Sequence, residues 1–166
     1  MNLSEFMKEI PIIFEKVKND VRGDLGRHRS GLALGLVDMG MNRGGFIGGV
    51  HFHPGTDIVM NKSPLRIMLE SQPYEIGWAY TYHILLSLYL KSLGVIDEQI
   101  CREVTLKISK EIFNEADHPA IIMAVNGIGF FIPNLKIIYI PPDRRPDGMP
   151  IEYINGFDKE SQSYFS

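Results

Sequence analysis

The chain has 166 residues, 45% of them hydrophobic and 22% charged, which is the composition of an ordinary globular domain. Its net charge of −3 leaves no broad basic face for nucleic acid or an acidic membrane. Its single cysteine, Cys101, excludes an internal disulfide and a thiolate-rich zinc site, and fits a cytoplasmic protein.

Leu3, Phe6, Met7, Ile10, Ile13, Phe14 and Val17 recur at helical spacing, so the first 20 residues predict an amphipathic helix. Pro11 falls inside the pattern and should kink or divide it. Glu5, Lys8 and Glu9 among these apolar residues speak against a secretory leader. A polar connector follows to Ser30, and its basic cluster of Arg22, Arg27, His28 and Arg29 reads as a solvated loop. Leu32 to Met39 suits a buried strand, and Phe46 to His53 a second one. Between them Asn42, Arg43, Gly44 and Gly45 supply turn chemistry, which predicts a hairpin. Asp57 to Met60 predicts a third strand, and Ser63-Pro64 the N-cap and first residue of a helix.

Tyr74 to Gly94 is the dominant stretch, a helix of about six turns and roughly 30 Å. It is apolar on nearly every side and should run through the core. Its longest uncharged run, Ile76 to Leu90, would span about 22 Å, short of the roughly 30 Å of a bilayer, so no membrane partner is expected. Gly94 gives a left-handed stop. Asp97 should cap a helix to about Asn114 with a core face of Ile100, Val104, Ile108 and Ile112, and Asp117 a shorter one ending near Gly127. Leu135 to Ile140 predicts a fourth strand before the loop PPDRRPDGMP. A polar tail from about residue 156 should be mobile. The whole reads as one α+β domain over residues 1–166, a short mixed sheet packed on a buried central helix.

One line of polar residues crosses that helix: Tyr80, His83, Ser87 and Lys91, spaced three, four and four apart, share one face. An unpaired buried polar group costs about 1–3 kcal/mol, so the line calls for partners, water or a ligand and marks a candidate pocket. The segment YHILLSLYLKSLG, with HFHPGTDIVMNKSPLR before it and DHPA after it, resembles a small, largely archaeal family of zincin-like proteins. Its members carry H-E-x-x-H in the context L-L-H-E-Y-L-H-S-L-G, where two histidines one turn apart bind zinc and the glutamate activates a metal-bound water. The shared frame here is Leu85, Leu86, Tyr89, Leu90, Ser92, Leu93 and Gly94, and the likeness covers residues 46 to 120. The histidine positions fall on Ser87 and Lys91 and the glutamate position on Leu88. His118 falls where the related proteins would place a third ligand.

A hydroxyl and an ammonium are poor zinc ligands, and Leu88 has no carboxylate to move a proton. The resemblance therefore implies a zincin-like scaffold without metal, cofactor or protease activity, acting in binding or assembly. Its candidate pocket residues are Tyr80, His83, Ser87, Lys91 and His118. A different reading is a metal-dependent hydrolase. His51 and His53 share one face of a predicted strand, and His83 or His118 would complete a metal site with them. The order H-x-H-P at 51–54 is also similar to the start of the JAMM-type deubiquitinase motif. Ser63 and Arg66, however, do not fall where that motif needs its serine and aspartate. A third reading is an interaction module that docks a partner or a second copy through Tyr139, Tyr153 and Tyr164.

Overall fold

The computed structural model describes residues 1–41, 45–52, 55–132, 137–138 and 151–154. Pro11 divides the first helical stretch in two. A short helix α1 (Leu3–Phe6) is capped by Asn2, whose side chain accepts from the Glu5 N–H at 2.9 Å. Helix α2 (Ile10–Leu25) then starts with Pro11 in its first turn, where a missing N–H costs nothing. It runs past the expected end at residue 20 and stops at Gly26, which takes the left-handed conformation at φ +68°. Ile10, Ile13, Phe14, Val17 and Val21 form its buried face.

Among the described residues there are six strands: β1 (Ala33–Val37), β2 (Phe46–Ile47), β3 (Gly49–His51), β4 (Asp57–Asn61), β5 (Ile137–Ile138) and β6 (Glu152–Tyr153). Four make one mixed sheet in the order β3-β4-β1-β6, while β2 and β5 pair in parallel on their own. The expected hairpin between the first two strand stretches does not form. β1 runs parallel to β4, from Ala33 opposite Asp57 to Val37 opposite Asn61, and antiparallel to β6. The hairpin is instead β3–β4, with Val50 opposite Val59. The reason lies in burial: Leu34, Leu36 and Val37 are fully buried, so both faces of β1 are covered and it belongs inside the sheet with a neighbour on each side. The stretch from Phe46 breaks at Gly48, whose carbonyl accepts from the Asn61 N–H at 2.9 Å.

Helix α3 (Lys62–Ser71) is capped by Asn61 and not by Ser63. The Asn61 side chain accepts from the N–H of Ser63 and of Met39 and donates to the Gly40 carbonyl at 3.0 Å, so it ties the end of β1 to the start of α3. The Ser63 hydroxyl donates to the Asp38 carboxylate. The longest helix, α4 (Tyr74–Ser92), then crosses the molecule, packing against α2, α3 and β3. It also meets α5 (Glu98–Phe113) and α6 (Pro119–Asn126). Thirteen of its residues are buried, on every side, as its apolar circumference demands.

Two arginines of the expected solvated loop serve this helix. Arg29 donates to the Ser92 carbonyl at 2.7 Å and to the Gly55 carbonyl at 3.0 Å, and Arg27 donates to the Leu93 carbonyl. Cationic donors on the last carbonyls complement the negative end of the helix dipole.

Helix α5 is capped by Asp97, which accepts from the Ile100 N–H at 2.9 Å. Of its expected core face Ile108 is buried and Val104 packs against the core, while the two outer isoleucines turn out. Cys101, Thr105, Ile108 and Ser109 are buried, while Ile100 and Ile112 are 52% and 37% exposed. Small side chains let α5 approach α4 and α6 closely, and the Ser109 hydroxyl is satisfied by the Thr105 carbonyl at 2.8 Å. Helix α6 takes its cap from His118 and not from Asp117: the His118 Nδ1 accepts from the Ala120 N–H at 3.1 Å. Of the expected strand at 135–140 only residues 137–138 are described. The loop 141–150 and the tail from residue 156 lie outside the described residues.

The sheet reaches α4 through two glycines. A Cβ on Gly49 would lie 2.7 Å from the Val59 carbonyl oxygen and 2.9 Å from Leu88 Cδ1, and one on Gly48 would lie 2.7 Å from Ile84 Cδ1. Gly49→Ala is therefore expected to destabilise the fold by about 2 kcal/mol or more, since the clash with the Val59 carbonyl cannot be relieved by a rotamer change. Gly23→Ala, exposed within α2 with nothing near its Cβ position, should stabilise by about 0.5–1 kcal/mol. Urea denaturation of both variants checks the pair, and equal midpoints for the two would contradict this packing.

Candidate functional site

The polar line on α4 is divided between two neighbours. Tyr80 is fully buried and faces the strands: its ring meets Phe46 edge-on at 6.4 Å, and its hydroxyl would lie 3.3 Å from a Cβ on Gly48. Ser87 and Lys91 face α5. The Ser87 hydroxyl lies 3.6 Å from Cys101 Sγ, and the thiol also lies 3.6 Å from the Ser87 carbonyl. The Lys91 ammonium pairs with Glu98 at 2.9 Å. These two residues thus sit together, each held by a partner on the next helix.

His83 comes one turn before Ser87 on the same face. Its Nδ1 is buried and has no hydrogen-bond partner among the described residues. The residue as a whole is partly exposed, but burial of the imidazole pushes its pKa down to about 4, so it is neutral near pH 7. Burial also pushes the Cys101 thiol up, against the lowering effect of the Ser87 hydroxyl, so it is not a thiolate nucleophile at neutral pH.

His118 belongs to a different group. Its ring stacks on Phe113 at 3.9 Å and 15°, and Phe113 in turn meets Trp78 and Tyr82 edge-on. Burial lowers the His118 pKa, opposed by the carboxylates of Glu115 and Asp117. Since Nδ1 accepts the cap bond, the neutral ring carries its proton on Nε2.

Of the His51/His53 pair only His51 is described. It is buried, with Nε2 2.8 Å from the Gly55 carbonyl, so that nitrogen donates to its own turn. Among the described residues no group of three or more His, Cys, Asp or Glu side chains is placed to hold a metal ion. Tyr153, from the proposed aromatic docking surface, is half exposed and lies 3.1 Å from Asp57 Oδ2, donating its hydroxyl. Tyr139 and Tyr164 fall outside the described residues.

The structure also forms a cavity where α4 and α6 begin. Tyr74, Glu75, Trp78, His118 and Pro119 line about 480 Å³. Of the residues singled out in the sequence only His118 is among them. Tyr74 and Trp78 stand one helical turn apart, a spacing visible in the sequence. Their selection over the other aromatics of α4 depends on which side the neighbouring helices leave open. Tyr74 is held by an edge-on contact with Phe6 and by a 3.0 Å bond from its hydroxyl to Glu9. Trp78 stacks on Tyr82 at 5.4 Å and 9°, and Tyr82 donates to Asp20 at 2.8 Å.

Comparison with known proteins gave no match: no family model, no curated protein and no solved structure matches the chain. No helix among the described residues is long and apolar enough to cross a membrane.

The buried imidazole makes a pH dependence predictable. Folding holds His83 neutral down to about pH 4, whereas the unfolded chain titrates near the ordinary value of 6.5. Its contribution is therefore intact above pH 6.5 and is lost as pH falls from there towards 4, with a slope of up to about 1.4 kcal/mol per pH unit. Urea midpoints at pH 7, 6 and 5 should fall more steeply for the native chain than for His83→Gln. An NMR titration placing His83 near 6.5 in the folded protein would contradict this burial.

Proposed function

We propose that this chain is a non-catalytic binding protein on a zincin-like scaffold. The observation that carries this reading is the engagement of positions 87, 88 and 91. Where H-E-x-x-H would supply two imidazoles and a carboxylate, Ser87 contacts Cys101, Leu88 is buried against Gly49, and Lys91 is paired with Glu98. An ammonium in an ion pair offers no lone pair to a metal, and a leucine cannot move a proton. The polar groups that a metalloprotease would spend on its ion here join α4 to α5. Binding then falls to the cavity at the start of α4, whose aromatic walls and convergent polar groups are typical of small-ligand sites.

Metal analysis of protein purified without added zinc is expected to give far less than one ion per chain, and one transition metal per chain would overturn the reading. The scaffold is tested by the double variant Ser87→His/Lys91→His. It would set two imidazoles one turn apart beside Glu98 and Cys101, so it is expected to take up one zinc per chain. A folded double variant that takes up none would count against a metal-sized space between positions 87 and 91.

A further inference from the structure

The walls of the cavity carry one kind of charge. Glu75 is exposed in the first turn of α4 and has no hydrogen bond or ion pair among the described residues. Glu9 lies behind the Tyr74 hydroxyl, and Glu115 and Asp117 lie near His118. Among the described residues no lysine or arginine lines the cavity, and His118 is held towards its neutral form with Nδ1 occupied by the α6 cap. Two helices begin here, which by itself would favour an anion. The His118 cap on one and the Glu75 carboxylate on the other oppose that preference.

The remaining surface is aromatic. Tyr74 and Trp78 line the cavity one turn apart, and both rings are held by neighbours, Tyr74 by Phe6 and Glu9, Trp78 by Tyr82 and Phe113. The same aromatic cluster already accommodates a cation on its other members: the Lys16 ammonium lies 5.4 Å from the Phe113 centroid and 5.9 Å from that of Tyr82 while paired with Asp20. Rings with a nearby carboxylate attract weakly hydrated organic cations, whose methyl groups also bury against the ring faces. Lys16, paired with Asp20, sits over Phe113 and Tyr82 and does not line the cavity. A strongly hydrated metal ion gains nothing from such walls, and an anion meets Glu75.

We propose that the cavity between the first turns of α4 and α6 binds an alkylated ammonium group, its charge facing Glu75 and its methyl groups against Tyr74 and Trp78. The inference rests on the binding role proposed above and names the ligand class of that site. The group is carried either by a free small molecule or by a methylated lysine of a peptide.

Trp78 is the only tryptophan in the chain, so its fluorescence reports on this cavity alone. Choline, its neutral isostere 3,3-dimethylbutan-1-ol and the anion 3,3-dimethylbutanoate are titrated separately, together with a short peptide carrying trimethyllysine. Choline or the peptide is expected to change the Trp78 signal saturably, the tighter of the two identifying the source, with the neutral and anionic probes much weaker. Glu75→Gln and Tyr74→Ala are each expected to weaken that binding by roughly three- to tenfold. Equal binding of the neutral isostere, or no effect of Glu75→Gln, would overturn the cation assignment and leave the cavity as a binding site. No saturable change with any of the four probes would overturn the binding role as well.

Discussion

A helix that is apolar around its whole circumference cannot rest on a surface; it has to be enclosed. That requirement on α4 organises this molecule. Helices α2, α3, α5 and α6 and strand β3 all pack against it. Burying a large aliphatic or aromatic side chain is worth about 1.5–3 kcal/mol, and α4 buries many. The adaptations of the neighbouring elements follow from this enclosure. Gly48 and Gly49 let the strands come within contact of Ile84 and Leu88. On α5 Cys101, Thr105 and Ser109 turn inward beside Ile108, while Ile100 and Ile112 turn out. Arg27 and Arg29 leave the connector to cover the carbonyls at the C-terminal end.

The same enclosure sets where chemistry can take place. Ser87 and Lys91 on α4 are engaged by α5, while the His83 imidazole one turn earlier has no partner on Nδ1 among the described residues. Ser87 meets a thiol and Lys91 a carboxylate, and both contacts join elements. Among the described residues the helix is most exposed at its first turn, with Tyr74 and Glu75. One end is closed by the arginines, and the other opens between Tyr74, Glu75 and Trp78 beside the start of α6. The cavity at the N-terminal end of α4 lies where the packing of the neighbouring helices stops.

Much of this was legible beforehand, and the failures share a cause. Periodicity and punctuation located the helices: Pro11 divided the first, Asp97 capped α5, and Gly94 and Gly127 lie just past helix ends. Caps were misplaced by a residue or two where side chains with similar capping ability stood together, Asn61 for Ser63 and His118 for Asp117. Strand pairing is not local, because a turn between two apolar stretches resembles a hairpin whether or not a third strand inserts. Here β4 and β6 flank β1. The aromatic walls of the cavity are not distinguishable beforehand, since Tyr74 and Trp78 look no different, in sequence, from Tyr80 or Tyr82.

The sequence by itself determined that this is an α+β chain built on a buried helix, with a line of polar side chains on one helical face, because hydrophobic periodicity is a local property of the chain. Tertiary structure alone decided which partner each of those side chains meets, which face of α5 turns inward and which end of α4 stays open. Those outcomes depend on contacts between residues far apart in sequence, such as Arg29 with Ser92 and Phe113 with Trp78, and no local pattern encodes them.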